Sequence, residues 1–166
     1  MKKALLLLIF FSAFLFGQNK FVATPTSLVS ENNIIELPGK SDAEIYKAVK
    51  TWVAKTYRNP NLVVKSDLPN EYIRLRGIWN VISKGPLGKS SLDVLYTLTL
   101  EIKDNKLRYT IDEIGGTNNF SYYNCFKSNG DRRTTKEVTN YLNDIEIYAE
   151  QFINEFARSL DHKDEW

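Results

Sequence analysis

The feature that most constrains how this chain can fold is a pair of alternating segments on either side of Asp104 and Asn105. Apolar residues recur at every second position from Ser91 to Lys103, and again from Lys106 to Ile114. A period of two is that of a β-strand with one buried face. Asp and Asn also tolerate the positive φ angles of a two-residue hairpin turn. The pattern therefore predicts an antiparallel hairpin with this turn at its tip.

The turn also determines which residues of the two strands lie opposite each other. A shift by one residue would turn the apolar set of one strand to water, so the register is strongly specified. The predicted inward pairs are Ile102 with Leu107, Leu100 with Tyr109, and Leu98 with Ile111. On the outward face Glu101 is predicted to lie opposite Arg108, which is a favourable cross-strand pair.

Two segments have the sequence of amphipathic helices. Ser41-Asp42-Ala43-Glu44 is a capping box, and the helix that it opens is predicted to end before Pro60, because proline disfavours helix in the preceding residue. Thr134-Thr135-Lys136-Glu137 repeats the capping pattern and opens a helix predicted to run to about Leu160. Each segment carries one apolar stripe at helical spacing.

The other segments are shorter or less regular. Residues 32–37 and 62–66 are predicted as short strands, and residues 71–83 as an alternating strand. Lys84 to Lys89 is predicted to be a loop because of its glycines and proline. For Gly115 to Arg133 two interpretations stay open, a long loop held by its aromatic residues or a loop that contains a further strand.

These elements predict the fold class. Since each helix and each long strand has one apolar face, the economical arrangement is a two-layer α+β fold with both helices on the same side of one curved antiparallel sheet. The other face of the sheet is then open. We place this single domain at residues 34–160, after a polar lead-in at residues 18–33 and before a charged tail at residues 161–166.

Part of the chain resembles a known family. The motifs are Leu37-Pro38-Gly39-Lys40-Ser41, Glu44-Ile45-Tyr46 with Trp52, Tyr96 to Leu100, and the segment Ile102 to Tyr109. They resemble the exported bacterial family of unknown function described as having a TBP-like fold (domain of unknown function 4468), over roughly Asn33 to Ile114. The resemblance implies a TBP-like fold and an exported protein, and no activity or site. DNA binding does not transfer with a shared fold.

The N-terminal segment Met1 to Gly17 predicts export. Two lysines precede the 13-residue apolar run from Ala4 to Phe16, which is shorter than the roughly 20 residues of a transmembrane helix and matches a signal peptide. Gln18 stands where a lipoprotein would have its cysteine. We therefore expect cleavage between Gly17 and Gln18, and a non-lipidated periplasmic or extracellular protein with no stable membrane anchor.

Composition limits the partners and the chemistry. Without Lys2 and Lys3, the 22 basic residues become 20 and balance the 20 acidic ones, whereas a nucleic-acid-binding protein normally has a basic excess on one face. The single cysteine, Cys125, is predicted to be a small buried hydrophobe. The single histidine, His162, lies in the charged tail and is poorly placed for catalysis. We predict no metal, no cofactor and no nucleic-acid partner.

The open sheet face is the predicted binding surface. Its candidate residues are Tyr72, Arg74, Arg76, Arg108 and Asp112, with an apolar strip of Ile78, Leu95 and Ile114. Arginine and tyrosine beside apolar residues are enriched at interfaces. The alternative is an ordinary solvated face whose charges pair with each other.

Three functions are compatible with this surface and fold. The favoured hypothesis is a non-catalytic exported module that binds an unknown envelope protein or polymer. The alternative is a carrier that holds a small apolar ligand between the sheet and the C-terminal helix, although the inward residues are large. The third is a hydrolase built on carboxylates, which are available at Asp93, Glu101, Asp112 and Glu113.

Overall fold

The computed structural model of the chain describes residues 20–85, 88–117 and 120–161. The predicted signal peptide, its cleavage site between Gly17 and Gln18, and His162 with the rest of the charged tail lie outside the described residues.

The described chain forms seven strands and three α-helices. The strands are β1 (Phe21–Ala23), β2 (Ser27–Ser30), β3 (Ile34–Glu36), β4 (Val64–Leu68), β5 (Tyr72–Gly85), β6 (Gly88–Lys103) and β7 (Lys106–Gly116). The helices are α1 (Asp42–Thr56), α2 (Pro60–Val63) and α3 (Lys136–Asp161), and a 3-10 helix spans Tyr122–Cys125.

The seven strands form one open antiparallel sheet in the order β1-β2-β7-β6-β5-β4, in which β3 also pairs with β7. The predicted hairpin is confirmed at its turn, where Asp104 and Asn105 have φ angles of 53° and 61°. Its predicted register is confirmed too, since Leu100 pairs with Tyr109 and Glu101 with Arg108. A two-residue turn with positive φ at both positions thus sets the register of the hairpin from the turn as far as the pair of Thr97 and Asp112.

Both long helices begin at a side-chain cap. The Ser41 hydroxyl accepts a hydrogen bond from the amide of Glu44, and the Glu44 carboxylate accepts one from the amide of Ser41 at 2.8 Å, as the capping box predicts. In α3 the cap is one residue later than predicted. The Thr135 hydroxyl accepts from the amide of Val138 at 3.4 Å. Glu137, expected to complete the box, instead accepts from the Tyr141 hydroxyl.

The two long helices lie on the same face of the sheet, which confirms the predicted two layers. Trp52 of α1 packs against Phe156 of α3 with a distance of 4.5 Å between ring centroids. Below them, Trp79 of β5 stacks on Tyr96 of β6 at 4.1 Å. Because these rings are almost completely buried, the space between sheet and helices is filled by side chains.

Two sequence interpretations are wrong, one at the N-terminal edge of the sheet and one at the tip of the β5–β6 hairpin. The predicted lead-in at residues 18–33 contains β1 and β2, whose residues Phe21 and Leu28 are buried. Their apolar positions are too few to reveal a strand among polar neighbours. The predicted loop from Lys84 to Lys89 is mostly ladder, because Lys84 pairs with Lys89 and Gly85 with Gly88.

Two other segments differ in detail. The strand predicted at residues 62–66 is divided, since Pro60–Val63 is a short helix and the strand begins at Val64. Proline at the first helical position favours this start. In the segment 115–133, Gly115 and Gly116 end β7, and the other described residues form a loop with a 3-10 helix, held by buried Tyr122 and Phe126 and by an isolated bridge between Phe126 and Arg132. None of the described helices is long and apolar enough to span a membrane.

Candidate functional site

The sheet face opposite the helices, here called the open face, carries all five residues that the sequence predicted. Its predicted rows are confirmed by the strand register. Tyr72 lies across from Glu101, Arg74 from Thr99, and Arg76 from Thr97, which in turn lies across from Asp112. The row through Tyr72 continues to both edges, to Leu68 on one side and through Arg108 to Ile34 on the other.

At the hairpin end of the open face the charges are paired. Arg108 donates two hydrogen bonds to Glu101, at 2.7 and 2.8 Å, and this contact lowers the pKa of the Glu101 carboxyl. Tyr72 is half-buried beside them and its hydroxyl lies 3.5 Å from that of Ser66. This end therefore matches the alternative interpretation of a solvated face whose charges neutralise each other.

At the other end a β-bulge changes the direction of β7. Thr97 pairs with Asp112 but Leu95 pairs with Gly115, so β7 has one more residue than β6 between these pairs. The extra residue places Glu113 at a φ of 50°, a conformation that is unusual for a residue with a side chain. β-Bulges of this kind redirect side chains.

The bulge corrects one predicted contact. Ile114 was expected on the open face beside Ile78 and Leu95, but it is 1% exposed and belongs to the core. Its place opposite Leu95 is taken by Gly115, which has no side chain to cover that residue. Alternation alone predicts a face correctly only while no residue is inserted. The glycine pair that follows was the one sequence signal of an irregularity.

Glu113 is a residue of the open face that sequence reasoning had considered only as a scattered carboxylate. Its Oε2 accepts a hydrogen bond from the Thr97 hydroxyl, and its Oε1 accepts one from the Arg74 guanidinium, both at 2.6 Å. The Thr97 hydrogen bond and the nearby arginines lower the pKa of the Glu113 carboxyl. Arg76 also acts on it electrostatically.

Asp112, next to it in sequence, has the opposite environment. Its Oδ1 atom is buried and has no hydrogen-bond partner among the described residues. Burial raises the pKa of the Asp112 carboxyl, and so does the charge of Glu113, while Arg74 opposes the shift. Asp112 is thus an acceptor without a donor.

A groove of about 1080 Å³ opens at this end of the face. Its lining includes Arg76, Leu95, Asp112, Gly115, Phe120 and Tyr123. The Tyr123 ring is 62% exposed. The groove is lined mostly by polar residues, but it also contains an apolar floor at Leu95 and Gly115, the exposed Tyr123 and the unpartnered carboxyl of Asp112. At the hairpin end, by contrast, the charges are paired.

Exposed apolar residues concentrate on the same face. Of the nine large hydrophobic residues that are exposed in the described chain, six lie there by register. They are Val22, Val29, Ile34, Leu68, Ile78 and Ile82. No described α-helix covers them.

The carboxylates that a hydrolase would need are not arranged as a free pair. Asp93 accepts a hydrogen bond from Asn80, and Glu101 is bound by Arg108. Asp112 and Glu113 have pKa values shifted in opposite directions, as an acid and a base would, but both oxygens of Glu113 already accept hydrogen bonds. This arrangement disfavours Glu113 as a base that activates water.

The residues considered for redox or metal chemistry lie elsewhere. Cys125 is 2% exposed, as predicted, and burial raises the pKa of its thiol to about 11. Within residues 20–85, 88–117 and 120–161, no group of three or more His, Cys, Asp or Glu side chains could hold a metal ion.

Comparisons with known proteins agree with the fold described above. A family model described as "Domain of unknown function (DUF4468) with TBP-like fold" matches residues 32–116. Among curated proteins there is no match.

Two solved structures are similar to this chain. One is a TBP-like protein from Parabacteroides distasonis, with a TM-score of 0.63 and 16% identity over 79% of this chain and 91% of that chain. The other is a DUF4468 family protein from Bacteroides ovatus, with a TM-score of 0.61 and 15% identity over 80% and 86%. At these identities the similarity establishes the fold alone.

Proposed function

This chain belongs to the family described as a domain of unknown function (DUF4468) with TBP-like fold, and we propose that it is a non-catalytic exported module whose open face binds a partner protein of the cell envelope. Export is supported by the signal-peptide pattern of Met1 to Gly17. The family description names no activity, so the argument for binding rests on the surface itself.

One observation carries the proposal. Six exposed large apolar residues share the open face with Arg74, Arg76 and Tyr72, and no described α-helix lies over them. Arginine and tyrosine beside exposed apolar residues are enriched at protein interfaces. A partner protein would bury this surface, whereas a polysaccharide would leave much of its apolar part in contact with water.

The alternative of an apolar-ligand carrier has less support. The inward positions at the centre of the sheet are occupied by Trp79, Leu98 and Leu100, each 2% exposed or less. Phe152 of α3 contacts both Trp79 and Tyr96. A ligand between sheet and helix would have to displace these side chains.

Site-specific photo-crosslinking in the native host tests the proposal. A photoreactive amino acid is introduced at Ile78, which is 58% exposed on the open face, and in a second strain at Ile147, which is 52% exposed on α3. The two positions are matched in residue type and exposure. We expect a discrete protein adduct in the periplasmic or secreted fraction from Ile78 and none from Ile147.

A further variant links the adduct to the predicted residues. Replacement of Tyr72, Arg74 and Arg76 together with alanine should abolish the Ile78 adduct while circular dichroism shows an intact fold. Equal adducts from Ile78 and Ile147, or no adduct from Ile78, would contradict a binding role for this face. A heterogeneous carbohydrate adduct would contradict the choice of a protein partner.

A further inference from the structure

The groove at the bulge end of the open face, lined by Arg76, Leu95, Asp112, Gly115, Phe120 and Tyr123, has a chemistry of its own. We propose that it receives a basic side chain, lysine or arginine, of the partner protein, with the cationic group at Asp112 and the aliphatic stem over Leu95 and Gly115. This inference rests on the proposed function, because it assigns one contact within the same interface.

The charge of the expected group follows from Asp112. Its carboxyl accepts no hydrogen bond from the described residues, and Oδ1 is buried. A buried acceptor without a donor is unfavourable, and a charged donor gives the strongest compensation. An arriving ammonium or guanidinium group would supply that donor.

The neighbouring charges do not already satisfy Asp112. Arg74 is engaged with Glu113 at 2.6 Å, and at Asp112 its effect is smaller than that of the Glu113 charge. Arg76 acts on Glu113. Arg74 therefore directs its hydrogen bond to Glu113, and the Asp112 carboxyl has no ion pair with a described residue.

The floor of the groove fits an aliphatic stem. Gly115 lies opposite Leu95 in the sheet, and a Cβ built on Gly115 would come no closer than 3.8 Å to Leu95. The absence of a side chain on Gly115 thus leaves the Leu95 side chain accessible from the groove. Long basic side chains commonly lay their methylene groups along such apolar surface. Tyr123 adds an exposed ring at the rim, which can contact a cation through its face.

Titration of the purified protein with small probes, followed by backbone amide NMR signals, tests the inference. The probes are N-acetyl-lysinamide, N-acetyl-argininamide and N-acetyl-norleucinamide, of which the last has a similar aliphatic chain and no charge. We expect saturable shifts at Gly115 and Gly116 with a basic probe, and binding of the norleucine probe about tenfold weaker. The lysine and arginine probes together determine which cation the groove prefers.

Three variants separate the contributions. Asp112→Asn should remove the preference for the basic probes, whereas Asp93→Asn, at a carboxyl already bonded to Asn80 at 2.8 Å, should keep it. Gly115→Val should weaken all three probes, since its side chain fills the floor and its Cβ makes only ordinary contacts. Equal binding of norleucine and basic probes to the unmodified protein would overturn the inference, as would an unchanged preference in Asp112→Asn.

The crosslinking and titration experiments distinguish failure of the cation contact from failure of the proposed protein interface. If Ile78 gives its protein adduct while the groove shows no preference for basic probes, the interface stands and the basic contact is wrong. If the groove prefers basic probes while Ile78 gives no adduct, the groove binds a cation, but the protein interface and the assignment of that cation to a partner side chain are wrong.

Discussion

The two faces of strand β6 have the same backbone and opposite surroundings. On the covered face, Val94, Tyr96, Leu98 and Leu100 are all 0–1% exposed. On the open face, the alternate residues are mostly polar or charged and in part accessible, as at Asp93 and Glu101. The comparison indicates that burial under α1 and α3 supplies the stability of the sheet. Substitutions on the open face should therefore cost less stability than substitutions on the covered face.

The largest expected loss of stability comes from truncation of a side chain on the covered face. Leu100 is 0% exposed and pairs with buried Tyr109. Leu100→Ala should lower the free energy of unfolding by about 2–5 kcal/mol, because it removes buried methyl groups and leaves a cavity. Urea denaturation measures this loss. Thr99→Ala, at the next residue on the open face, is the matched control and should cost much less. Equal losses would mean that the open face also stabilises the fold.

The sequence predicted this part of the molecule well, for a definite physical reason. A two-residue turn at Asp104 and Asn105 specifies the pairs up to Thr97 and Asp112, and the apolar period of two permits only one register there. The alternation, extended from β6 to β5, also placed Arg76 opposite Thr97 correctly. Long segments with a strict period carry most of the information that determines their own fold.

A smaller loss is expected from adding one methyl group to the covered side of β5. A Cβ built on Gly77 would lie 2.7 Å from the Tyr96 hydroxyl oxygen and 2.9 Å from a ring carbon. Tyr96 has little freedom to move, since it stacks on Trp79 and its hydroxyl shares a 2.5 Å hydrogen bond with that of Tyr57. Gly77→Ala should therefore destabilise the protein by about 1–3 kcal/mol through overpacking.

Urea denaturation compares this variant with Gly115→Ala. Gly115 lies on the open side of β7, and its Cβ would meet only Leu95, at 3.8 Å or more. We expect Gly115→Ala to be much closer to neutral. If both glycine substitutions destabilised equally, the close packing of Tyr96 over Gly77 would not be the cause. Near-UV circular dichroism of Gly77→Ala should also change, because the Tyr96 ring, which stacks on Trp79, must shift.

The candidate site was less predictable than the core. Alternation placed Asp112 on the open face but could not reveal the inserted residue at Glu113 that turns Ile114 inward. Such an insertion depends on contacts with Thr97 and Arg74, which lie far away in sequence. The strands at residues 21–30 were missed for a related reason. They pair with each other and with β7, and Arg132 and Glu146, far away in sequence, bond the carbonyl and the amide of Ala23. No local pattern encodes these contacts.

The smallest effect on stability is expected from the best-formed ion pair of the open face. Arg108 donates two hydrogen bonds to Glu101, yet the two side chains are 57% and 41% exposed. Water and salt screen such a pair, and ordering two long side chains costs entropy that offsets the attraction. Arg108→Ala should thus shift the urea midpoint by only a small fraction of the shift caused by Leu100→Ala. A double-mutant cycle with Glu101→Ala, repeated at low and high salt, isolates the pair itself. We expect a weak coupling that falls further as salt increases. A strong coupling that salt does not reduce would contradict the view that this exposed ion pair adds little to the stability of the fold.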